Sequence, residues 1–436
     1  MKYYLIGIKG AGMSTLAQIL YDMGNEVVGY DDKKEYKFTE EGLIKRNIKI
    51  YNNSDYVPTN DFIVSASSAI PLNHKEIKKC ENLGLKFQKY NELLGSITKK
   101  FTTIAVCGTH GKTTTSTLIS NVLKNTIGCN YFIGDGTGFV DLKNNLFVIE
   151  SCEYNKNFLA YYPTYTVITN IELEHTECYK DIDDIINTFG EFLNKTTNKI
   201  FACGDDENIR KIKTDKEIIY YGFNKNNDIY AQNINKTIEG ISFDCIYKNN
   251  FYGHFELPLY GNHMVLNALA CIGISIEQKI EPYLVFKILK NFKNAKRRFN
   301  VEEIDNNVII DDYAHHPTEI KVTLDSCRQK YPNKKLVAIF KPNTYSRTIA
   351  LKDDFVKSLR YADKVYITPI ECNRENQADY PNVNSSIIIK EIKNAELLTD
   401  DTISKLLKYE DSVLCFMSCA DISHLIENYK KIKTSN

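Results

Sequence analysis

The sequence predicts an α/β chain of three domains. Three observations carry this: short β-branched and apolar runs alternate with amphipathic helical stretches, glycine-rich turns stand at two strand-to-helix junctions, and 436 residues exceed what one core of about 150 residues holds. The expected boundaries are 1–99, 100–296 and 297–436.

The first element is the strand Lys2–Gly7, followed by Ile8-Lys-Gly10-Ala-Gly12-Met13-Ser14 and a helical pattern through Leu16, Ile19, Leu20 and Met23. A second strand, Glu26–Tyr30, ends at Asp31-Asp32. A glycine turn followed by an acid about twenty residues on marks a Rossmann-like nucleotide site. The glycines fall at 7, 10 and 12 rather than in G-x-G-x-x-G, which fits a nucleoside diphosphate on the helix N-terminus better than a nicotinamide dinucleotide. Strands at Asp61–Ser65 and Leu85–Lys89 continue an open sheet to about residue 99.

The central domain opens with the apolar run Phe101–Cys107, then Gly108-Thr109-His110-Gly111-Lys112-Thr113-Thr114, then Leu118, Ile119, Val122 and Leu123 on one helical face. Glycines let backbone N–H groups approach phosphate, the helix dipole favours anions, Lys112 supplies a point charge, and the Thr113 hydroxyl suits Mg²⁺. The spacing departs from G-x-x-x-x-G-K-[ST], with Val106 where the first glycine would stand. Further strands at Leu146–Glu150 and Tyr165–Asn170 end in polar residues. Ligands of open α/β sheets sit beyond carboxyl strand ends, so Glu150, Glu174 and His175 are expected to face one crevice with Lys112, with Thr113, Glu150 and His175 as metal ligands. Residues 215–260 read as a small β-meander.

The basic stretch Lys290–Arg298 reads as a hinge to a second Rossmann-like body, with strands at Val308–Asp312, Leu336–Phe340, Lys364–Thr368 and Val413–Met417. Asp311-Asp312-Tyr-Ala-His315-His316-Pro-Thr-Glu319 places two acids and two imidazoles at a strand end, costly to bury unless partnered. Arg347 follows another strand end, where a guanidinium can hold a carboxylate bidentately.

Composition narrows the function. Lys plus Arg and Asp plus Glu are 55 each, so no global field draws the chain to nucleic acid or an anionic membrane. No apolar run approaches the ~18 residues of a bilayer span, so no membrane insertion is expected. Twelve scattered cysteines without a C-x-x-C pair, behind a start that reads as a strand, fit reduced thiols and a cytoplasmic location.

Taken in order, the turn at 7–14, G-T-H-G-K-T-T at 108–114, Glu150-Ser-Cys-Glu153, Thr169–His175, Gly261–Asn267, Lys296–Phe299, D-D-Y-A-H-H-P-T-E at 311–319 and Tyr345-Ser-Arg-Thr348 resemble the Mur ligases over essentially the whole chain. The likeness is greatest to the members that join L-alanine to UDP-N-acetylmuramate, and the C-E-Y and G-D-G-T-G (134–138) segments look like their Gram-positive branch. The resemblance implies an N-terminal UDP-sugar binder, a central ATPase and a C-terminal amino-acid domain, with ATP and Mg²⁺ as cofactors. It implies an acyl phosphate on the lactyl carboxylate, then attack by the alanine amine through a tetrahedral intermediate. Carried over by position, Gly10, Gly12, Met13, Ser14, Asp31, Ser65 and Ser67 hold UDP-sugar. His263 and Asn267 meet adenine, Arg298 and Asp312 the ribose and phosphates, and His315 and Arg347 the amino acid, with Lys112 and His175 serving phosphoryl transfer. The expected species is a monomer or weak homodimer. Asn343 and Thr344 stand where family members often carry His and Arg, and Ser418-Cys-Ala420 replaces glycines, removing positive-φ freedom. A peptide-recycling ligase of this family, a folylpolyglutamate-type enzyme and a non-catalytic nucleotide-responsive protein share the central loop.

Overall fold

The computed structural model describes residues 1–175, 178–372 and 375–434. Three sheets are present. The first comprises β1 (Lys2–Ile6), β2 (Glu26–Tyr30), β3 (Lys49–Tyr51), β4 (Phe62–Ala66) and β5 (Lys86–Phe87), all parallel in the order β3-β2-β1-β4-β5. Tyr4, Ile6, Val28, Phe62 and Val64 bury their side chains against Ile77 and Cys80 of the helix Lys75–Asn82.

The second sheet comprises β6 (Thr102–Cys107), β7 (Asn130–Ile133), β8 (Thr137–Phe139), β9 (Leu146–Glu150), β10 (Tyr165–Ile168), β11 (Lys199–Cys203), β12 (Glu217–Gly222), β13 (Ile229–Lys236), β14 (Ile241–Tyr247) and β15 (Asn250–Leu257). Its order is β15-β14-β13-β12-β11-β10-β6-β9-β7-β8, so β6 lies between β10 and β9. The register pairs Val106 with Glu150 on one side and with Val167 on the other, bringing three carboxyl strand ends to one edge. Ile104, Ala105, Val106 and Cys107 are fully buried, as expected of a parallel strand covered on both faces.

The third sheet comprises β16 (Asn300–Ile304), β17 (Asn307–Asp312), β18 (Lys335–Phe340), β19 (Lys364–Ile367), β20 (Ala395–Leu397) and β21 (Ser412–Met417), ordered β16-β17-β21-β18-β19-β20. Alternation along its strands fills two cores: Ile310, Ala338 and Cys415 pack on one face, and Ile309, Val337, Ile339, Leu414 and Phe416 on the other. Met417 pairs with Asp312 and Phe340, so the segments beginning at Tyr313, Lys341 and Ser418 leave the same edge.

The chain divides into two compact units. One contains Met1–Gln232, Asp244–Phe255 and Leu266–Phe292; the other contains Asn233–Phe243, Glu256–Val265 and the residues from Lys293 on. No helix among the described residues is long and apolar enough to cross a membrane.

Candidate active site

In the first unit, β6 runs into the loop Gly108–Gly111 and the helix Lys112–Lys124. Gly108 has φ +130°, and a Cβ there would lie 2.1 Å from Thr169 Oγ1. Gly111 caps the helix in the left-handed region at φ 80°. Only glycine meets both demands at Gly108.

The segment after β10 clamps this loop. Asn170 O accepts from Thr109 N–H (2.9 Å), Asn170 Oδ1 accepts from His110 N–H (2.8 Å), and Asn170 Nδ2 and Thr169 Oγ1 both donate to His110 O (2.9 and 2.6 Å). The Thr109 hydroxyl accepts from Glu172 N–H at 2.8 Å. With Thr109 and His110 N–H engaged within the protein, the positive end of the helix Lys112–Lys124 is the part of the cradle suited to an anion.

Lys112 lies down in the loop. Its Nζ donates to Gly108 O (2.6 Å) and Thr109 O (2.8 Å) and lies 2.9 Å from Glu153 Oε2. Burial alone would lower its pKa, but the Glu153 carboxylate outweighs that and holds the ammonium above the usual lysine range. Glu153 is itself buried, and its Oε1 lies 3.7 Å from His175 Nε2. His175, at φ 54°, packs edge-on against Tyr154.

Two groups of oxygen and imidazole ligands flank the ammonium. Glu150 Oε1 accepts from the Thr113 hydroxyl at 3.1 Å, and Glu150 Oε2 accepts from Gly134 N–H at 2.8 Å. Glu153, Glu174 and His175 offer ligand atoms that all lie within 4.8 Å of one another. The predicted set of Thr113, Glu150 and His175 is thus distributed: Thr113 and Glu150 touch, while His175 stands with Glu153. A hydroxyl beside carboxylates is a donor set for a hard divalent cation, so these residues fit Mg²⁺.

The predicted UDP-sugar residues occupy the same unit. Gly10 caps the helix Ala11–Asp22 and receives Ser14 N–H on its carbonyl. Met13 and Ser14 are buried, with the Ser14 hydroxyl donating to Ala11 O, so this turn presents backbone N–H groups rather than those side chains. Asp31 accepts from Lys9 N–H and Lys33 N–H (3.0 and 3.1 Å), which fixes the turn. Ser65 is fully buried and its hydroxyl has no partner among the described residues; Ser67 Oγ accepts from Ala69 N–H. The same helix grips the β7–β8 hairpin: Thr15 Oγ1 donates to Ile133 O and Gln18 Nε2 to Gly136 O (3.2 and 2.7 Å). That hairpin supplies the Gly134 N–H that holds Glu150.

Asn267, on the helix Asn262–Glu277, is buried with its Oδ1 close to Gly111, where a Cβ would meet it at 3.0 Å.

In the second unit, His263 has its pKa pushed down to about 4, mainly by burial and then by the Lys236 charge. Asp312 accepts from Phe299 N–H, Ala314 N–H and the Thr323 hydroxyl (2.7, 2.8 and 3.2 Å), so its carboxylate fixes the chain around itself. Arg298 stacks on Tyr313 with its guanidinium 4.9 Å from the ring centre. His315 Nδ1 lies 3.0 Å from Glu319 Oε2 and 3.1 Å from Tyr313 O, two acceptors that favour a proton on Nδ1. His316 caps the helix Pro317–Lys330 by accepting from Thr318 N–H. Arg347 lies on the short helix Tyr345–Ala350, whose first N–H groups bind Glu375 Oε2 (2.6 Å from Tyr345 N, 3.3 Å from Ser346 N). Asn343 donates its side-chain amide to Glu371 O. None of Ser418, Cys419 and Ala420 has a positive φ; the Ser418 hydroxyl closes the turn by accepting from Ala420 N–H, so glycine is not needed there.

Sequence reasoning assigned no role to Glu153 or Asn170, although both lay in quoted motifs. Their position just past the ends of β9 and β10 was the available signal.

A parallel sheet whose central strand feeds a glycine-lysine cradle, with acids at the adjoining strand ends, defines an α/β nucleotide-dependent enzyme. Three family models match this chain: "Mur ligase family, catalytic domain" over residues 2–102, "Mur ligase middle domain" over 106–275, and "Mur ligase, glutamate ligase domain" over 297–419. The chain belongs to the Mur ligase family, ATP-dependent ligases of peptidoglycan precursors. Its fold is similar to that of UDP-N-acetylmuramate-alanine ligase MurC from Thermotoga maritima (23% identity, 100% of both chains, TM-score 0.81). It is also similar to the murein peptide ligase Mpl from Psychrobacter arcticus (22% identity, 99% of both chains, TM-score 0.74). A MurF ligase from Thermotoga maritima, in complex with ADP, matches at 16% identity over 94% of this chain and 95% of that one, with a TM-score of 0.64.

Proposed function

We propose that this chain joins L-alanine to the lactyl carboxylate of UDP-N-acetylmuramate at the expense of ATP, as a cytoplasmic step of peptidoglycan precursor synthesis. The observation that carries the reading is the placement of Lys112, Glu150, Glu153 and His175 around one cradle, in the unit whose first helix carries the UDP-sugar turn and grips the hairpin holding Glu150. The order of motifs along the chain and the likeness to the Thermotoga enzyme support it. On this reading residues 1–99 bind the sugar nucleotide, 100–296 bind ATP, and 297–436 bind the amino acid.

The chemical difficulty is bringing a carboxylate against a γ-phosphate. First-turn N–H groups of the helix Lys112–Lys124 bind the phosphates, and Lys112 leaves Gly108 O and Thr109 O to lie along them. Thr113 and Glu150, with His175 and Glu153 alongside, would hold Mg²⁺, which when bound neutralises phosphate charge. Carboxylate attack then displaces ADP and leaves an acyl phosphate. The alanine amine adds to the acyl carbon and phosphate departs. His315, oriented by Glu319, takes the proton that the amine loses, and Arg347 takes the alanine carboxylate.

Phosphate release from UDP-N-acetylmuramate, ATP and Mg²⁺ tests the reading. Sustained release is expected only when L-alanine is added; sustained release that ignores L-alanine contradicts it.

A further inference from the structure

Tyr90 opens the helix Tyr90–Thr98, and its hydroxyl reaches the glycine turn far back in the sequence. A Cβ built on Gly12 would lie 2.6 Å from Tyr90 Oη and 3.2 Å from Cζ, so a side chain at position 12 would push this phenol from its place. The hydroxyl makes no hydrogen bond among the described residues, although the ring is partly buried. Burial, followed by the influence of Cys152 and Glu150, keeps the phenol protonated far above neutral pH. Tyr90 is therefore a fixed donor between the first turn of the helix Ala11–Asp22 and the strand end that carries Glu150. The Glu150 carboxylate and the Cys152 thiol lie close enough to act on it, yet neither receives its proton.

We propose that Tyr90 is a substrate-binding residue whose hydroxyl donates to an anionic oxygen of the sugar nucleotide, on the arm running from the diphosphate at the glycine turn to the carboxylate at the phosphoryl-transfer cluster. The inference rests on the reading of the substrate given above. The arrangement explains two features at once: a glycine at position 12 that no turn conformation requires, since its φ is not in the left-handed region, and a phenol left without a protein acceptor.

The test is Tyr90→Phe, which keeps the ring and removes the donor. Loss of a hydrogen bond to a charged group is expected to weaken UDP-N-acetylmuramate binding by about tenfold to a hundredfold, with the KM for ATP and the Tm unchanged. Titration with UDP locates the acceptor: weakening of UDP as well identifies the diphosphate, and weakening of UDP-N-acetylmuramate alone identifies the lactyl carboxylate. A second variant guards against a folding effect. Gly12→Ala pushes a methyl group at the hydroxyl, so its loss of affinity is expected to be smaller in the Tyr90→Phe background than in the wild type. Unchanged sugar-nucleotide binding in Tyr90→Phe, or additive effects in the double variant, overturns the inference while leaving the ligase reading standing; a wild-type protein that binds no UDP-N-acetylmuramate overturns the reading itself.

Discussion

The Lys112 ammonium lies 2.9 Å from Glu153 Oε2, with Glu153 buried and Lys112 largely so beside the loop carbonyls of Gly108 and Thr109. A buried pair of this kind is retained for what it positions more than for net stability. On the proposed reading it holds Lys112 within reach of the phosphates.

Lys112→Ala is expected to remove at least a thousandfold of turnover while leaving UDP-N-acetylmuramate affinity within about twofold, because the sugar-nucleotide turn has its own donors. The variant also strands the Glu153 charge, with a cost of about 3–5 kcal/mol. Calorimetric binding alongside steady-state rates separates these effects. Equal loss of sugar-nucleotide binding and turnover contradicts the assignment.

Gly108→Ala and Gly24→Ala form a matched pair. Both glycines have positive φ, but a Cβ at Gly24 meets nothing within 4 Å, whereas at Gly108 it strikes Thr169 Oγ1. Gly24→Ala is expected to cost about 1 kcal/mol. Gly108→Ala is expected to cost several times that and to abolish binding of a fluorescent ATP analogue. Similar melting temperatures for the two variants count against the proposed crowding.

Much of the fold was legible because its signals are local. The run Phe101–Cys107, the glycine turn and the Leu118–Leu123 face follow one another directly, and the rule that ligands gather at carboxyl strand ends pointed to Glu150, which the register sets against Val106, two positions before Gly108. What stayed hidden depended on contacts distant in sequence or on irregular backbone. Glu153 sits where the chain leaves β9 and enters left-handed residues Asn155 and Lys156, so no periodicity indicated that it would reach Lys112. Tyr90 looks like an ordinary helix-opening residue until folding brings it to Gly12. Asp312 was read as a ligand contact from its motif, whereas its three hydrogen bonds to the chain appear only in three dimensions.

Thr344 holds φ 69° and ψ 139°, a conformation that a β-branched residue adopts only under strain. Its N–H donates to Glu371 O, a bond that any residue keeps. Thr344→Gly is expected to raise stability by about 1 kcal/mol, read as an increased denaturant midpoint with unchanged m-value. A lowered midpoint contradicts the strain.

His263, held at about 4 against an ordinary value of 6.5, binds a proton more readily in the unfolded chain than in the folded one. Stability should therefore fall as pH drops from about 6.5 towards 4, by up to about 1.4 kcal/mol per unit from this group, and be unaffected by it above that window. Melting curves of His263→Gln without nucleotide should show a shallower decline across the same range. Parallel curves for wild type and variant contradict a buried neutral imidazole.

The central claim concerns which amine is joined to which carboxylate, and product mass after competition tests it most directly. With UDP-N-acetylmuramate, ATP and Mg²⁺, and equal amounts of L-alanine, glycine, L-serine and the murein tripeptide, the account predicts UDP-N-acetylmuramoyl-L-alanine as the dominant product. A dominant tripeptide adduct would make the chain a peptide-recycling ligase, and nucleotide binding with no adduct at all would make it a non-catalytic member of the fold; either result contradicts the account.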